Sequence, residues 1–196
     1  MPNLMYQGHG SFRLTSADGV VVFIDPYVGD GYDLPADIIL VSHQHGDHNQ
    51  VNLITQKPGC AVISNVEALA GGAHNSFSIK GVEIEAVTAE NKNHPADQCV
   101  GFVVTMDGVK LYFSCDTSKT AQMAEFAARE FDYAFLCCDG FYNMGLDEAA
   151  ECAKLIGAKH NVPAHMKPGE LFDRALAEQF AAPNRLILEA GEEIEL

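Results

Sequence analysis

The segment that most constrains this chain is ILVSHQHGDHNQ, in which an apolar run leads into three histidines and an aspartate. His43, His45, Asp47 and His48 fall within six positions, and neutral imidazole and carboxylate are ligands that suit zinc, manganese or iron. His43 and His45 are two residues apart, so an extended segment would point both side chains toward one ion. A turn after them could direct Asp47 and His48 at a second ion. A polar loop that is rich in histidine by chance is the alternative, and four ligand types in six residues argue against it.

Short strand patterns fill the rest of the first half of the chain. Asp18-Gly19 and Asp107-Gly108 are typical of hairpin turns, and the two hairpins resemble each other, which indicates two similar sheet halves. The runs that we predict as strands here are Ser11–Thr15, Val20–Ile24, Asp37–Ser42, Cys60–Ser64 and Val82–Val87.

Helical patterns lie in the second half. Apolar spacing predicts helices over Ala121–Glu130, Asp147–Ile156 and Glu170–Ala181, with Asp147 as an N-cap and Gly157 at the end of the second helix. The predicted strands between and after them are Phe131–Cys137, Lys159–Val162, Arg185–Leu188 and Glu192–Leu196. Hairpins covered by helices predict a layered α/β domain, and a chain of 196 residues without a linker or repeat predicts one domain over 1–196.

The charge of the chain argues against nucleic acid and membranes as partners. It has 12 Lys+Arg and 27 Asp+Glu, a net charge of −15, whereas binding to those polyanions depends on basic patches.

The N-terminal segment lacks the basic and apolar regions of a signal peptide, and no apolar run approaches the ~20 residues of a membrane span. The six cysteines lack a CxxC spacing and are expected to be reduced thiols. We therefore expect a cytoplasmic protein with a small-molecule substrate, and homo-oligomerisation stays open.

The order of these motifs resembles the signature of the metallo-β-lactamase superfamily. His-x-His-x-Asp-His ends an apolar strand, and the remaining motifs of that family follow: Asp25 in VVFIDPY, His94 in AENKNHPADQ, Asp116 in LYFSCDTS and His165 in VPAHMKP. Cys115 stands where the family usually has glycine, and we interpret it as a packing substitution. The opening Gly-His-Gly-Ser-Phe and the segments FYNMGLDEAA and NVPAHMKPG are similar to a branch of small metal-dependent hydrolases that includes ascorbate-6-phosphate lactonase.

The resemblance implies a four-layer αββα sandwich of two mixed sheets flanked by helices, with metal ions at one rim. It implies two divalent ions, zinc ahead of manganese or iron, with a hydroxide between them that attacks a carbonyl or phosphoryl centre. The implied ligands are His43, His45 and His94 for the first ion, Asp47, His48 and His165 for the second, and Asp116 as the bridge. Asp47 would also shuttle a proton, and Asp25 would orient a ligand histidine from behind. For His9, a structural role and a contact behind the ligands or with substrate are equally supported.

Other residues near the ligands are candidates for binding substrate. Lys92, Lys119 and Lys167 each lie within three positions of an implied ligand, where they could form a positive rim for a phosphate or carboxylate; ordinary solvated lysines are the alternative. Tyr142 and Asn143, in the GFYNMG loop, are expected to line the pocket. We therefore expect a metal-dependent hydrolase of a small anionic lactone, phosphodiester or related ester or amide.

Two other functions fit the same pattern less well. A nucleic-acid-processing phosphodiesterase of the same fold conflicts with the net charge of −15. A non-catalytic metal-binding protein is the other alternative, and a degenerate, metal-free binding or scaffold protein conflicts with the intact set of ligands.

Overall fold

The computed structural model describes residues 1–196, and twelve strands make up two six-stranded sheets. The strands are β1 (Asn3–Gly8), β2 (Ser11–Thr15), β3 (Val21–Ile24), β4 (Ala36–Val41), β5 (Gln56–Ser64), β6 (Ser76–Ile79), β7 (Val82–Thr88), β8 (Val100–Met106), β9 (Val109–Phe113), β10 (Tyr133–Cys137), β11 (His160–Ala164) and β12 (Glu193–Glu195). The first sheet has the order β12-β1-β2-β3-β4-β5, and the second has the order β11-β10-β9-β8-β7-β6.

Both sheets are mixed, and they follow the same plan. An antiparallel meander (β1 to β3, and β6 to β9) is followed by two parallel strands (β4 and β5, and β10 and β11). Gly19 and Gly108, in the predicted hairpin turns, have φ of 80° and 82°, a conformation that glycine adopts without strain. The resemblance between the two hairpins therefore reflects two sheets of similar topology.

The main core lies between the two sheets. It contains 24 buried hydrophobic residues contributed by strands of both sheets. Phe12 from the first sheet packs against Phe113 and Phe135 of the second, with ring centroids 4.7–5.1 Å apart among the three. Burial of such apolar surface, at about 25 cal/mol per Å², is the main force that holds the sheets face to face.

The outer faces of the sheets are covered unequally. The helices are α1 (Asn65–Ala68), α2 (Leu146–Ile156) and α3 (Arg174–Gln179), with 3₁₀ segments at Val51–Leu53, Ala70–Gly72 and Ala121–Arg129. A cluster of 20 buried residues joins the second sheet to its helical cover, whereas only six buried residues form the cluster on the outer face of the first sheet. Few helices therefore flank the two sheets. None of them combines the length and apolar character needed to cross a membrane.

The third predicted helix is shorter than its apolar spacing indicated. Glu170–Ala181 was the predicted range, but α3 begins at Arg174, where the carboxylate of Asp173 accepts a hydrogen bond from the Leu176 backbone N–H at 3.1 Å. The residues before it are used elsewhere: the Leu171 carbonyl accepts a hydrogen bond from the His9 backbone N–H at 2.6 Å. This tertiary contact overrides the local helical pattern.

Three smaller predictions also differ from the structure. The segment predicted as the helix Ala121–Glu130 is a 3₁₀ helix, and Arg185–Leu188 forms one isolated bridge with Asn161 instead of a strand. Asp147 lies in the first turn of α2, one residue inside its start, and Gly145 is the N-cap. Gly157 ends α2 in a left-handed conformation, as predicted.

Candidate metal centre

The implied ligands meet at one rim of the sandwich, beyond the carboxyl ends of several strands. The loop with His43, His45, Asp47 and His48 follows β4, Asp116 follows β9, and His165 follows β11, while His94 lies between β7 and β8. Loops at the carboxyl ends of parallel strands share one edge of a sheet, which is where α/β proteins commonly bind ligands.

Three histidines form what we call the first ligand group: His43, His45 and His94. The Nδ1 atom of His45 lies 3.0 Å from Nε2 of His43 and 3.2 Å from Nε2 of His94. His43 and His94 are buried, and His45 is exposed. The three nitrogen atoms are therefore close enough to bind one ion together.

Asp47, His48 and His165 form the second ligand group. Oδ2 of Asp47 lies 3.9 Å from Nε2 of His48 and 3.8 Å from Nε2 of His165. His9 approaches the same group, because its Nε2 is 3.1 Å from Oδ2 of Asp47. The structure thus places His9 in direct contact with Asp47, one of the three residues of the second ligand group.

The carboxylate of Asp116 lies between the two groups and divides its oxygens between them. Oδ2 is 3.3 Å from Nε2 of His94 and 4.0 Å from Nε2 of His43. Oδ1 is 3.4 Å from Nε2 of His48 and 3.5 Å from Nε2 of His165. One carboxylate can therefore contribute an oxygen to each group.

The donor atoms of the second group fit a cation. Nε2 of His48, Nε2 of His165 and Oδ1 of Asp116 are buried without a hydrogen-bond partner, although buried polar atoms nearly always have one. Leaving them unsatisfied would cost about 1–3 kcal/mol each. Imidazole nitrogen and carboxylate oxygen suit zinc, manganese and iron, so the residues present fit divalent ions of this kind.

Asp25 and Ser42 orient two of the histidines from behind. Asp25 accepts hydrogen bonds from the backbone N–H and the hydroxyl of Ser42, at 2.7 and 2.6 Å, and its Oδ2 lies 2.9 Å from Nδ1 of His48. The Ser42 hydroxyl oxygen lies 2.9 Å from Nδ1 of His43. When each Nδ1–H donates to these oxygens, Nε2 keeps its lone pair for a metal.

Asn91 orients His94 in the same way, and Asp139 pairs its charge with His165. Oδ1 of Asn91 is 2.9 Å from Nδ1 of His94, and Oδ2 of Asp139 is 3.1 Å from Nδ1 of His165. Ser42, Asn91 and Asp139 were not predicted from the sequence. A signal existed for Asp139, which follows an apolar strand and precedes a glycine, much as Asp25 follows β3.

Asp139 also shapes the loop that carries Tyr142 and Asn143. Its Oδ1 accepts hydrogen bonds from the backbone N–H groups of Phe141, Tyr142 and Asn143, at 2.6, 2.7 and 3.2 Å. Tyr142 then lines a cleft together with members of both ligand groups. Asn143 instead donates to Asp139 at 2.7 Å and accepts from Asn91 at 3.0 Å, so it holds the loop in place.

The two groups differ in their electrostatics. Burial, together with the positive charge on His48, lowers the pKa of His43 to about 3, and burial lowers the pKa of His94. Burial alone would lower the pKa of His48, but the negative charges of Asp116 and Asp25 raise it. The pKa of His165 is raised well above its ordinary value because Asp116 and the hydrogen bond to Asp139 outweigh its burial.

The carboxylates respond in the opposite direction. Burial would raise the pKa of Asp116, but the surrounding charged histidines hold it well below its usual range. Burial is likewise outweighed at Asp47, where the nearby imidazole of His165 and the hydrogen bond with His9 lower the pKa of the carboxyl. Both carboxylates are therefore ionised at neutral pH, as metal ligands must be.

Two of the three predicted rim lysines are paired with carboxylates. Nζ of Lys119 lies 3.3 Å from Glu151, and Nζ of Lys167 lies 2.6 Å from Glu170. Lys92 is exposed, and none of the three is among the residues that line the cleft with Tyr142. The positive charge available from this rim is thus smaller than the sequence suggested.

Cys115 packs against the core between the sheets, and burial raises the pKa of its thiol well above the ordinary value. Its φ of 51° lies in the left-handed region that favours glycine, which is the residue usual at this place in the related motif. The cysteine therefore fills space at a backbone position that a smaller residue would adopt more easily.

Comparison with known proteins identifies the family and the fold. Residues 3–165 match the family model described as Beta-lactamase superfamily domain. A UPF0173 metal-dependent hydrolase of Methanoculleus marisnigri is 31% identical over 183 residues, covering 83% of this chain and 80% of that protein. One of Thermococcus kodakarensis is 28% identical over 230 aligned positions, covering 100% of both. A crystal structure from Parabacteroides distasonis, assigned as a metal-dependent hydrolase, has a TM-score of 0.76 at 27% identity and covers 95% of this chain and 91% of its own. The matched residues include every implied ligand.

Proposed function

The chain belongs to the metallo-β-lactamase superfamily and is a metal-dependent hydrolase of the UPF0173 kind, and from this we propose that it hydrolyses a small anionic substrate at a centre of two divalent ions. The proposed ligands are His43, His45 and His94 for one ion, Asp47, His48 and His165 for the other, and Asp116 between them. Zinc is the first candidate because five of these seven ligands are imidazoles, and manganese and iron are the alternatives.

The observation that carries this proposal is the position of Asp116. Its Oδ2 faces the first ligand group at 3.3 Å from His94, and its Oδ1 faces the second at 3.4 Å from His48. A carboxylate that bound only one ion would direct both oxygens to the same ligand group, or would direct one oxygen to that group and use the other in a hydrogen bond. Two ions that share Asp116 account for both contacts.

The protein residues have distinct roles in such a reaction. Divalent ions at this place would lower the pKa of water toward neutrality and stabilise negative charge on the reacting oxygen. Asp47 and Asp116 both line the cleft, and Asp47, whose side chain is 34% exposed, is the more accessible of the two and would orient the attacking water. Asp47 would also pass the proton onward, and His9, whose Nε2 is 3.1 Å from Asp47 and whose Nδ1 is 3.0 Å from the Glu170 carbonyl, would hold the Asp47 carboxylate in place.

The proposed substrate class follows from the charge of the chain and from the chemistry of the centre. A chain of net charge −15 would repel an anion, so attraction must be local, and the ions would supply most of it because Lys119 and Lys167 are already paired. Lactones, phosphodiesters and related esters or amides all offer a carbonyl or phosphoryl centre for water to attack. Tyr142 would contact the part of the substrate that faces away from the ions.

The experiment that tests this proposal combines metal analysis with a substrate panel. Protein reconstituted with zinc or manganese is expected to bind about two ions per chain and to hydrolyse a member of a panel of lactones, phosphodiesters and thioesters. Asp18→Asn, a change in an exposed turn, serves as the control. Protein that retains no metal after reconstitution would refute the proposed centre.

A further inference from the structure

A second cavity adjoins the first ligand group, and carboxamide side chains dominate its walls. All three histidines of that group line it, and the remaining lining residues are Gln44, Asn65, Asn93, Pro95, Gln98 and Cys99. Burial raises the pKa of Cys99 to about 12, so its thiol is neutral at physiological pH. Apart from the histidines, the walls therefore carry no charge.

Asn65 occupies a position in this wall where the fold does not require an asparagine. It is the first residue of α1, but Ser64 and Glu67 already cap that helix through a reciprocal pair of hydrogen bonds. Asparagine is also a weak helix former. The side chain is nevertheless 9% exposed, and its Oδ1 accepts a hydrogen bond from Nε2 of Gln44 at 2.9 Å. Its NH₂ group has no partner in the protein.

Asn93 presents the complementary atom. Its Nδ2 donates to the Tyr142 carbonyl at 2.9 Å, which leaves its Oδ1 without a partner. The side-chain amide of Gln98 makes no hydrogen bond within the protein either, so it offers a donor and an acceptor. The cavity thus combines free NH₂ donors and free carbonyl acceptors beside the first ligand group.

We propose that this cavity, which we call the carboxamide pocket, binds an uncharged hydrogen-bonding portion of the substrate, bearing hydroxyl or amide groups, next to the bond that is hydrolysed. A phosphate or carboxylate only accepts hydrogen bonds, and an ammonium only donates them, so either would leave half of these side-chain groups unpaired. A hydroxyl or a secondary amide does both. This inference rests on the proposed function and divides the substrate into a reacting end at the metal centre and a neutral polar portion in the pocket.

Binding can be tested without turnover, by NMR of the side-chain amides in ¹⁵N-labelled, zinc-reconstituted protein. The probes are meso-erythritol for a polyol and N-acetylglycinamide for an amide, with inorganic phosphate as the anionic comparison. We expect one of the two neutral probes to shift the amide resonances of Asn65 and Gln98, and the one that binds identifies the class. Shifts from neither probe, or tighter binding of phosphate at these amides, would overturn the proposal.

Variants show whether the binding uses the named side chains. Asn65→Ala and Gln98→Ala are each expected to weaken binding of the effective probe by about three- to tenfold, the usual range for one neutral hydrogen bond. Gln179→Ala is the matched control, because its exposed amide bonds only to a carbonyl of its own helix. If the control weakens binding as much as the two pocket variants, the pocket is not the binding site.

A turnover assay separates this inference from the proposed function. The 4-nitrophenyl esters of N-acetylglycine and pentanoic acid have acyl chains of similar length, and only the first carries an amide. If both esters and the wider panel resist hydrolysis while the neutral probe still shifts Asn65 and Gln98, the proposed function fails and the pocket assignment stands. If N-acetylglycinamide is the effective probe and the esters are hydrolysed, but the wild type shows no preference that Asn65→Ala reduces, the pocket assignment fails alone.

Discussion

The two ligand groups use the same imidazole side chain in two different settings. In the first group, His43 and His94 have neutral partners at Nδ1, the Ser42 hydroxyl and the Asn91 amide oxygen. In the second group, His48 and His165 have the carboxylates of Asp25 and Asp139. The pKa values differ as well: burial lowers them in the first group, whereas in the second the charge of Asp116, together with the partner carboxylates, outweighs burial and raises them.

The residue behind a ligand, together with burial and the charge of Asp116, therefore influences how strongly that ligand holds a proton. A histidine with a lowered pKa is neutral at physiological pH and can bind a cation without releasing a proton. One with a raised pKa holds a proton more tightly in competition with the cation, but its carboxylate partner also makes it a stronger donor to the metal. The two halves of one centre are thus expected to bind their ions with different affinity.

The largest effect should follow loss of the residue that both groups share. Asp116→Ala removes an oxygen from each group and leaves four buried imidazoles without the charge that balances a cation. We expect the metal content to fall from about two ions to below one, and the hydrolytic rate to fall by roughly a thousandfold, since metal ions supply several kcal/mol of transition-state stabilisation. Elemental analysis and the panel assay measure both, and circular dichroism checks that the variant folds. Two ions retained at full affinity would show that Asp116 is not the bridge.

Single-group variants test whether the groups are separate. His43→Ala removes a ligand from the first group alone, and His165→Ala removes one from the second alone. Each is expected to leave about one ion per chain, with hydrolysis reduced by about 100-fold or more because a bridging arrangement needs both ions. Metal analysis of the two variants side by side gives the answer. Loss of both ions in either variant would mean that the groups form one cooperative site.

Exchanging the partners behind the ligands tests the comparison directly. Asp139→Asn replaces the carboxylate behind His165 with an amide, and we expect the second ion to bind about 10–100-fold more weakly. Asn91→Asp places a carboxylate behind His94 and should strengthen binding of the first ion by up to the same factor. Competition with a chelator measures both affinities. Equal effects of the two variants on both ions would contradict the assignment of each partner to one group.

The sequence revealed these two groups to different degrees. His43, His45, Asp47 and His48 lie in one loop, so their spacing alone predicts a metal site. Residues from four other loops, such as Asp116 and His165, were identified only because their motifs follow a known family order. Ser42 and Asn91 lie one and three positions before the histidines that they support, but no sequence pattern marks them as partners. Asp139 and His165 follow different strands, β10 and β11, and meet only in the folded chain.

The fold shows the same division between local and tertiary information. The two hairpins and α2 follow from turn residues and apolar spacing within their own segments. The predicted helix at Glu170–Ala181 fails because the backbone carbonyls of Glu170 and Leu171 contact His9, more than 160 positions earlier in the chain. Such a contact leaves no periodic pattern in the sequence.

The smallest predicted effect concerns a buried carboxylate outside both groups, Asp37, whose partners are two lysines instead of histidines. Lys57 and Lys80 bind its two oxygens, and these hydrogen bonds outweigh burial and lower the pKa of Asp37 to about 2 from an ordinary value of 3.8. A carboxyl with a lowered folded-state pKa stabilises the protein above its unfolded pKa, and this stabilisation is lost as the pH falls from about 4 toward 2. Because both lysines are partly exposed, solvent screens the interaction, and we expect Asp37→Asn to lower the free energy of unfolding at pH 7 by about 1 kcal/mol.

Urea unfolding from pH 7 to pH 3, on metal-free protein, measures this prediction against Asp18→Asn as the control. The difference between wild type and Asp37→Asn should be constant from pH 7 to about pH 5 and shrink below about pH 4, where the wild-type carboxyl begins to protonate in the unfolded chain. Metal affinity should not change, because Asp37 contacts neither ligand group. If Asp37→Asn instead lost metal without losing stability, Asp37 would act as the carboxylates of the metal centre do. The proposed difference between carboxylates paired with lysine and carboxylates paired with histidine would then be wrong.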